Sequence, residues 1–181
     1  MRVWAVSVVA MVAALSAFGQ KEPENLALKK PVTVVGGIGQ GAADLLTDGI
    51  TASDPYLGGP TEVQIDFQKT YKVTTIKIWH YWADGRTYHD NKIALSTKSL
   101  FQGEETVVFD SKRDGEYPET AAGKTITFPE VEARYLHAWV GGNTVNQWSH
   151  WVEIQAFYIP VARSVGARGK LAVTWGAVKT R

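Results

Sequence analysis

Residues 79–91, WHYWADGRTYHDN, crowd two tryptophans, two tyrosines, two histidines, two aspartates, an arginine and an asparagine into one short stretch. These are groups that stack and hydrogen-bond. A planar guanidinium or carboxamide can grip a pair of hydroxyls through two parallel bonds, and an aromatic ring offers its face to C–H groups. Arg86, with Asp90 or Asn91, supplies the polar half of such a site. His80, His89 and His150 add hydrogen-bonding capacity, and Trp82, Tyr88 and Trp148 are the loop aromatics. The set suits reversible binding of a hydroxyl-rich ligand such as a sugar. Each residue also has a plainer role open to it. Arg86 can salt-bridge Asp84 or Asp90. Trp79, Tyr81, Trp139 and Trp151 fall on strand patterns and are expected in the core. For His137 and His150 a structural role stands beside a functional one.

Bond-breaking chemistry has little to work with. The sequence contains no HExxH or GxSxG, no cysteine, and no glycine-rich loop between a strand and a helix. Glu130 and Glu132, flanking Val131, read as a solvated edge rather than a catalytic pair. A non-catalytic binding protein is expected.

Something rigid must hold these loops, and the flanking residues show what. Val73, Ile76 and Ile78 precede the stretch and Ile93 and Leu95 follow it, spaced as in half-buried strands. In residues 62–68, EVQIDFQ, apolar and polar residues alternate strictly, the mark of a strand with one wet face. Further strands are expected over residues 26–35, where Pro31 tolerates only an edge or a strand start, and at 107–109, 126–128, 133–140 and 151–158. Residues 42–46 suggest one helical turn, and residues 51–60 are turn chemistry throughout. About eight short strands joined by Gly, Pro and Asp turns imply an all-β sandwich.

The two ends differ from this body. Residues 1–19 join one arginine to an apolar run and close on Ala17-Phe18-Gly19, as a cleaved export signal does. The run is shorter than the ~20 residues of a membrane span. Residues 159–181 carry five basic residues and no acid; without these and Arg2, thirteen basic residues face eighteen acidic ones. A mildly acidic body argues against a nucleic-acid surface, and the tail reads as a solvated linker or as a contact for a protein partner. With no cysteine available for disulfides, stability must come from a packed core, with or without a metal.

Several segments, in order, resemble the discoidin (coagulation factor 5/8 type C) domains and, more closely, the bacterial family-32 carbohydrate-binding modules. They are residues 25–32 (NLALKKPV), 46–49 (LTDG), 63–67 (VQIDF), 71–78 (YKVTTIKI), 133–136 (ARYL) and 151–157 (WVEIQAF). The resemblance covers residues 25–158. It implies an eight-stranded antiparallel jelly-roll of the galactose-binding-like kind, with a glycan site in loops at one end. It also implies a structural calcium ion. Asp48 and Glu153 would give carboxylates, Leu45 and Ile50 carbonyls, and Thr51, Ser53 or Asp54 a further oxygen. Asp48 as a turn cap and Glu153 as a surface residue are the simpler alternative. A protein-interaction module of the discoidin type is the second functional reading. A lipid-binding variant would show bare Trp or Phe at its loop tips, whereas here Asp, Arg and His are mixed in.

Overall fold

The computed structural model describes residues 22–160; the expected export segment, and the basic tail beyond Pro160, lie outside them. Seven antiparallel strands make up this body: β1 Val32–Val35, β2 Leu57–Gly58, β3 Glu62–His80, β4 Lys92–Ser96, β5 Thr106–Asp110, β6 Lys124–Trp139 and β7 His150–Phe157. Helix among the described residues is confined to a 3-10 turn, Ala43–Thr47, and one α-helical turn, Ser111–Asp114. No helix among them is long and apolar enough to cross a membrane.

β3 and β6 are each one bent strand where the sequence suggests two. They run antiparallel along nearly their whole length, with the register slipping between Asp66 and Tyr71. At that slip Gln68 takes a φ of 71°, and its N–H donates to Asp66 Oδ1 at 2.7 Å. Arg134 reaches over from β6 with two bonds to the Asp66 carboxylate, 2.9 and 3.0 Å. Eight expected strands thereby become six, and the two-residue β2, hidden among turn residues, makes the seventh.

The bend divides the sheet into two layers. Before it, β3 lies between β1 and β6; beyond it, between β6 and β7. One layer is β1–β3–β6–β4–β5 and the other β2–β7–β3–β6. Strands that pass between layers through bulges are how all-β sandwiches turn their corners.

Burial follows the sequence pattern until the bend. Val63, Ile65 and Phe67 are buried, and Glu62, Gln64 and Asp66 between them are only half-buried. Past the bend Val73, Thr74, Thr75 and Ile76 are all buried. Thr74 lies under the end of the domain: its hydroxyl donates to the Ile159 carbonyl at 3.1 Å and accepts the Ile159 N–H at 2.8 Å. The start is fastened beside it, with Leu26 N–H donating to the Ala156 carbonyl at 2.8 Å. Residues 26–29 form a turn rather than a strand, and β1 begins only after Pro31.

Trp79 and Trp151 are in the core as expected. Each fully buried large apolar side chain contributes roughly 2–3 kcal/mol, and Trp151 also satisfies its indole N–H on the Pro60 carbonyl at 2.7 Å. Trp139 departs from expectation. It lies half-buried on the outer face of its layer, 3.8 Å from the His137 ring. Phe101 closes on both rings, and His137 Nε2 is 3.2 Å from the Glu62 carboxylate. That is a structural place for His137.

Candidate functional site

Three chain segments converge at one end of the sandwich. β2 pairs with β7 so that Gly58 lies opposite His150 and Leu57 opposite Trp151. The last residue of β3, His80, also pairs with Trp151, and Tyr81 N–H donates to the His150 carbonyl at 2.9 Å. This pairing brings Tyr56, Tyr81 and His150 together. The Tyr56 ring stands edge-on to Tyr81 at 5.5 Å and to His150 at 5.0 Å.

Arg86 completes the group. Its guanidinium lies 4.7 Å above the Tyr81 ring, as a cation over an aromatic face should. The fork grips Asp84, Nε to Oδ1 at 2.9 Å and a terminal nitrogen to Oδ2 at 2.5 Å, which holds the Asp84 carboxyl below its usual range. The other terminal nitrogen is 3.3 Å from His150 Nδ1, and the Tyr88 hydroxyl is 3.2 Å from the same atom. Arginine only donates, so Nδ1 must accept and the imidazole is neutral with its proton on Nε2. Burial, and then the Arg86 charge, push the His150 pKa down to about 4. Burial likewise pushes the Tyr88 phenol well up, so it stays protonated.

These residues line a cavity of about 430 Å³ together with Gln40, Asp54 and Asn146. Gln40 is held by the Tyr56 hydroxyl, which donates to its carbonyl oxygen at 3.2 Å. Asn146 is placed by Asn143, a buried residue that ties its own loop together. Asn143 Oδ1 accepts the N–H groups of Val145 and Asn146 at 2.9 and 3.1 Å, and its amide donates to Asn146 Oδ1 at 3.0 Å and the Trp148 carbonyl at 2.7 Å. A larger depression of about 700 Å³ beside Lys29, Lys30 and Asp44 has no aromatic wall and no convergent planar groups. The smaller cavity is the better-built site.

Apart from Trp148, the residues singled out from sequence divide into three groups. Arg86 and His150 line the cavity. Tyr88 and His80 stand behind it: Tyr88 is 3% exposed, and His80, fully buried, stacks on it at 4.5 Å and bonds Glu119 at 2.7 Å through Nδ1. Trp148 is 53% exposed and does not line the cavity; its ring is so close to Gly39, the neighbour of Gln40, that a Cβ there would lie 2.7 Å from it. The third group faces elsewhere. Asn91 is buried and donates to the Tyr117 hydroxyl at 3.0 Å. Asp90 pairs with Lys112 at 2.8 Å and His89 with Glu116 at 2.9 Å. Trp82 donates its indole N–H to the Thr51 carbonyl at 3.1 Å.

Sequence reasoning passed over Gln40, Tyr56, Tyr81 and Asn146 as site residues. Tyr81 is the first residue beyond β3, and one residue of overrun in the strand pattern assigns it to the core. Tyr56 and Asn146 sit among turn residues whose direction only the fold sets. Asp54, considered for the metal, faces the cavity.

The second constellation lies beside the first. Glu153 is fully buried on β7; Oε2 accepts the Gly49 N–H at 3.2 Å, and Oε1 makes no well-aligned hydrogen bond, although the Gln155 side chain lies near enough to favour the charged carboxylate. Burial pushes its pKa up to about 8, and the Asp48 charge adds to the rise. Asp48 makes the expected turn, with Oδ1 accepting the Ile50 N–H at 2.7 Å. A buried carboxylate oxygen without a well-aligned partner keeps a proton or meets a cation. Among the described residues no three acidic or imidazole side chains cluster. An ion here would therefore complete its shell from carbonyl and hydroxyl oxygens, which is calcium's habit. Asp48 and Glu153 are the two carboxylates that the sequence resemblance names for an ion.

Known structures share this architecture. The family-32 module of AlyQ, solved with 4,5-unsaturated mannuronic acid, superposes with a TM-score of 0.58 at 22% identity, over 71% of this chain and 95% of the module. The fold is that of the family-32 carbohydrate-binding modules. Chitosan-binding module 1, from a chitosanase/glucanase of Paenibacillus sp. IK-5, matches with a TM-score of 0.57 at 17% identity, over 75% of this chain and 99% of the module. The family 89 glycoside hydrolase of Clostridium perfringens, in complex with GlcNAc-α-1,4-galactose, matches with a TM-score of 0.61 at 20% identity. That match covers 74% of this chain and 14% of the hydrolase. The chain thus spans nearly all of the two isolated modules and only a small part of the enzyme. No protein-family model matches the sequence, and no curated protein does.

Proposed function

We propose that the protein is an exported, non-catalytic carbohydrate-binding module that holds a glycan in the cavity between β2, β7 and the loop after β3. The observation that carries the reading is the convergence of Arg86, His150, Tyr56 and Tyr81 around a cavity of about 430 Å³. Its walls offer planar donors and acceptors beside aromatic rings, the combination that sugars need. The likeness of the chain to modules solved with, or named for, mannuronic acid and chitosan supports the same class of ligand. Export rests on residues 1–19 and would place the protein outside the cytoplasm, secreted or periplasmic.

In this reading Arg86 bonds ligand hydroxyls with the N–H groups that Asp84 leaves free, while Asp84 and Tyr81 fix its plane. His150 presents Nε2–H as a donor. Trp148, exposed against Gly39 next to Gln40, is the aromatic platform. Calcium would be held by the carboxylates of Asp48 and Glu153, with main-chain or hydroxyl oxygens from Leu45, Ile50, Thr51 and Ser53. The ion supplies positive charge to a buried carboxylate. The Thr51 carbonyl already accepts from Trp82, which ties the metal loop to the loop that carries Arg86.

A glycan array tests the reading. Wild-type protein should retain a restricted set of glycans. Arg86→Ala and Arg86→Lys should each bind the best of them roughly tenfold or more weakly, since the fork is lost in both, with unchanged circular dichroism. A silent array, or undiminished binding by both variants, would contradict it.

A further inference from the structure

The charges around the cavity discriminate among sugars. Among the described residues Arg86 is the only cation lining it, and its fork is occupied by both oxygens of Asp84. His150 is neutral, because its Nδ1 accepts from Arg86. Gln40, Tyr56, Tyr81 and Asn146 carry no charge. One formal charge is left without a partner: Asp54 is exposed and makes no hydrogen bond or ion pair among the described residues. Within the cavity, then, the guanidinium is cancelled by its own neighbour and an unmatched carboxylate stands at the mouth.

We infer that this cavity selects a sugar bearing a protonated amine, a glucosaminyl residue, over a uronic acid, with the Asp54 carboxylate as the ammonium's partner. This rests on the carbohydrate-binding reading and adds the class of sugar to it. A uronate carboxylate entering here meets a guanidinium whose charge Asp84 already offsets and shares the space with Asp54, and like charges placed close together are disfavoured. An ammonium finds an unpaired carboxylate and the remaining lone pair of Gln40 Oε1, whereas Asn146 Oδ1 is already taken by Asn143 and Trp148. An uncharged N-acetyl sugar gains and loses neither term, so it should fall between the two. Because Asp54 is exposed, water and salt weaken the pairing, and roughly threefold in affinity is the expected size of the preference.

Titration calorimetry on the full chain in mildly acidic, low-salt buffer decides the matter. The probes are chitobiose with free amines, its N,N′-diacetyl form and a dimannuronate. The expected order is amine, then N-acetyl, then uronate, with roughly threefold or more between the first two. In Asp54→Asn the amine and N-acetyl forms should bind alike. Tightest binding by the uronate would overturn the inference. So would an amine advantage that survives Asp54→Asn, since attraction to the acidic body as a whole would then explain it. Retention of neutral glycans on the array with no gain from an amine overturns this inference alone, whereas silence from every sugar overturns the carbohydrate reading as well.

Discussion

His150 is wedged between an arginine that can only donate and a phenol that stays protonated, and both facts favour its neutral form. The folded protein holds its pKa near 4, below the ordinary 6.5. Between those values the unfolded chain takes up a proton that the folded one refuses, so stability should fall as pH drops from about 6.5 toward 4. The shift has an upper limit of about 3 kcal/mol, and for a group at the cavity wall on the order of 2 kcal/mol is expected. Urea unfolding at about pH 7.5 and about pH 4.5 should show wild type losing that much more than His150→Gln. Equal losses would contradict the neutral assignment. Glu153 responds in the opposite sense, but it is the same in both proteins and cancels. Its own test is direct. Calcium should raise the wild-type melting temperature by roughly 5 °C or more and should leave Glu153→Gln nearly unmoved. A variant that still responds would remove Glu153 from the metal site.

At the scale of elements, the β3–β6 ribbon sets where the loops emerge, and a turn before β6 guards one buried ring. Gly123 has a φ of 66° and donates to the Thr120 carbonyl at 3.0 Å, and a Cβ on it would lie inside the Trp79 indole. That indole is 3% exposed and bonded to the Ala121 carbonyl at 3.1 Å, so it has nowhere to go. Gly123→Ala should therefore cost roughly 2–4 kcal/mol, read as a lower urea midpoint. A cost within a few tenths would mean the turn adapts. The strands themselves were legible in the sequence because alternation survives wherever one face is wet, as in Val63, Ile65 and Phe67. Alternation breaks at Val73 to Ile76, where both faces are covered. The joining of 62–68 to 73–78 was invisible because a bulge at Gln68 looks like a turn. The site was half legible. Arg86 and His150 betray themselves by type, whereas Tyr56 and Asn146 face the cavity only because β2 pairs with β7 and because Asn143 folds its loop. Asn91, expected beside Arg86 as a planar carboxamide, points into the interior, where it bonds Tyr117.

For the whole molecule, the two constellations belong to one working end. The chain that leaves Asp48 and Gly49, beside Glu153, runs through Thr51 to Asp54 and Tyr56 at the cavity and then into β2. An ion at Asp48 and Glu153 would thus steady one wall of the sugar site, and chelation should weaken glycan retention as well as lower the melting temperature. Retention that survives chelation while stability falls would separate the two. The opposite end, where Tyr71 and Tyr158 line a shallow depression, has rings but no convergent hydrogen-bonding fork. The most direct test of the account is an amide-resolved NMR titration of the protein with the glycan it retains best. Shifts should centre on Gln40, Asp54, Tyr56, Tyr81, Arg86, Asn146 and His150. Shifts that centre instead around Tyr71 and Tyr158 would contradict it.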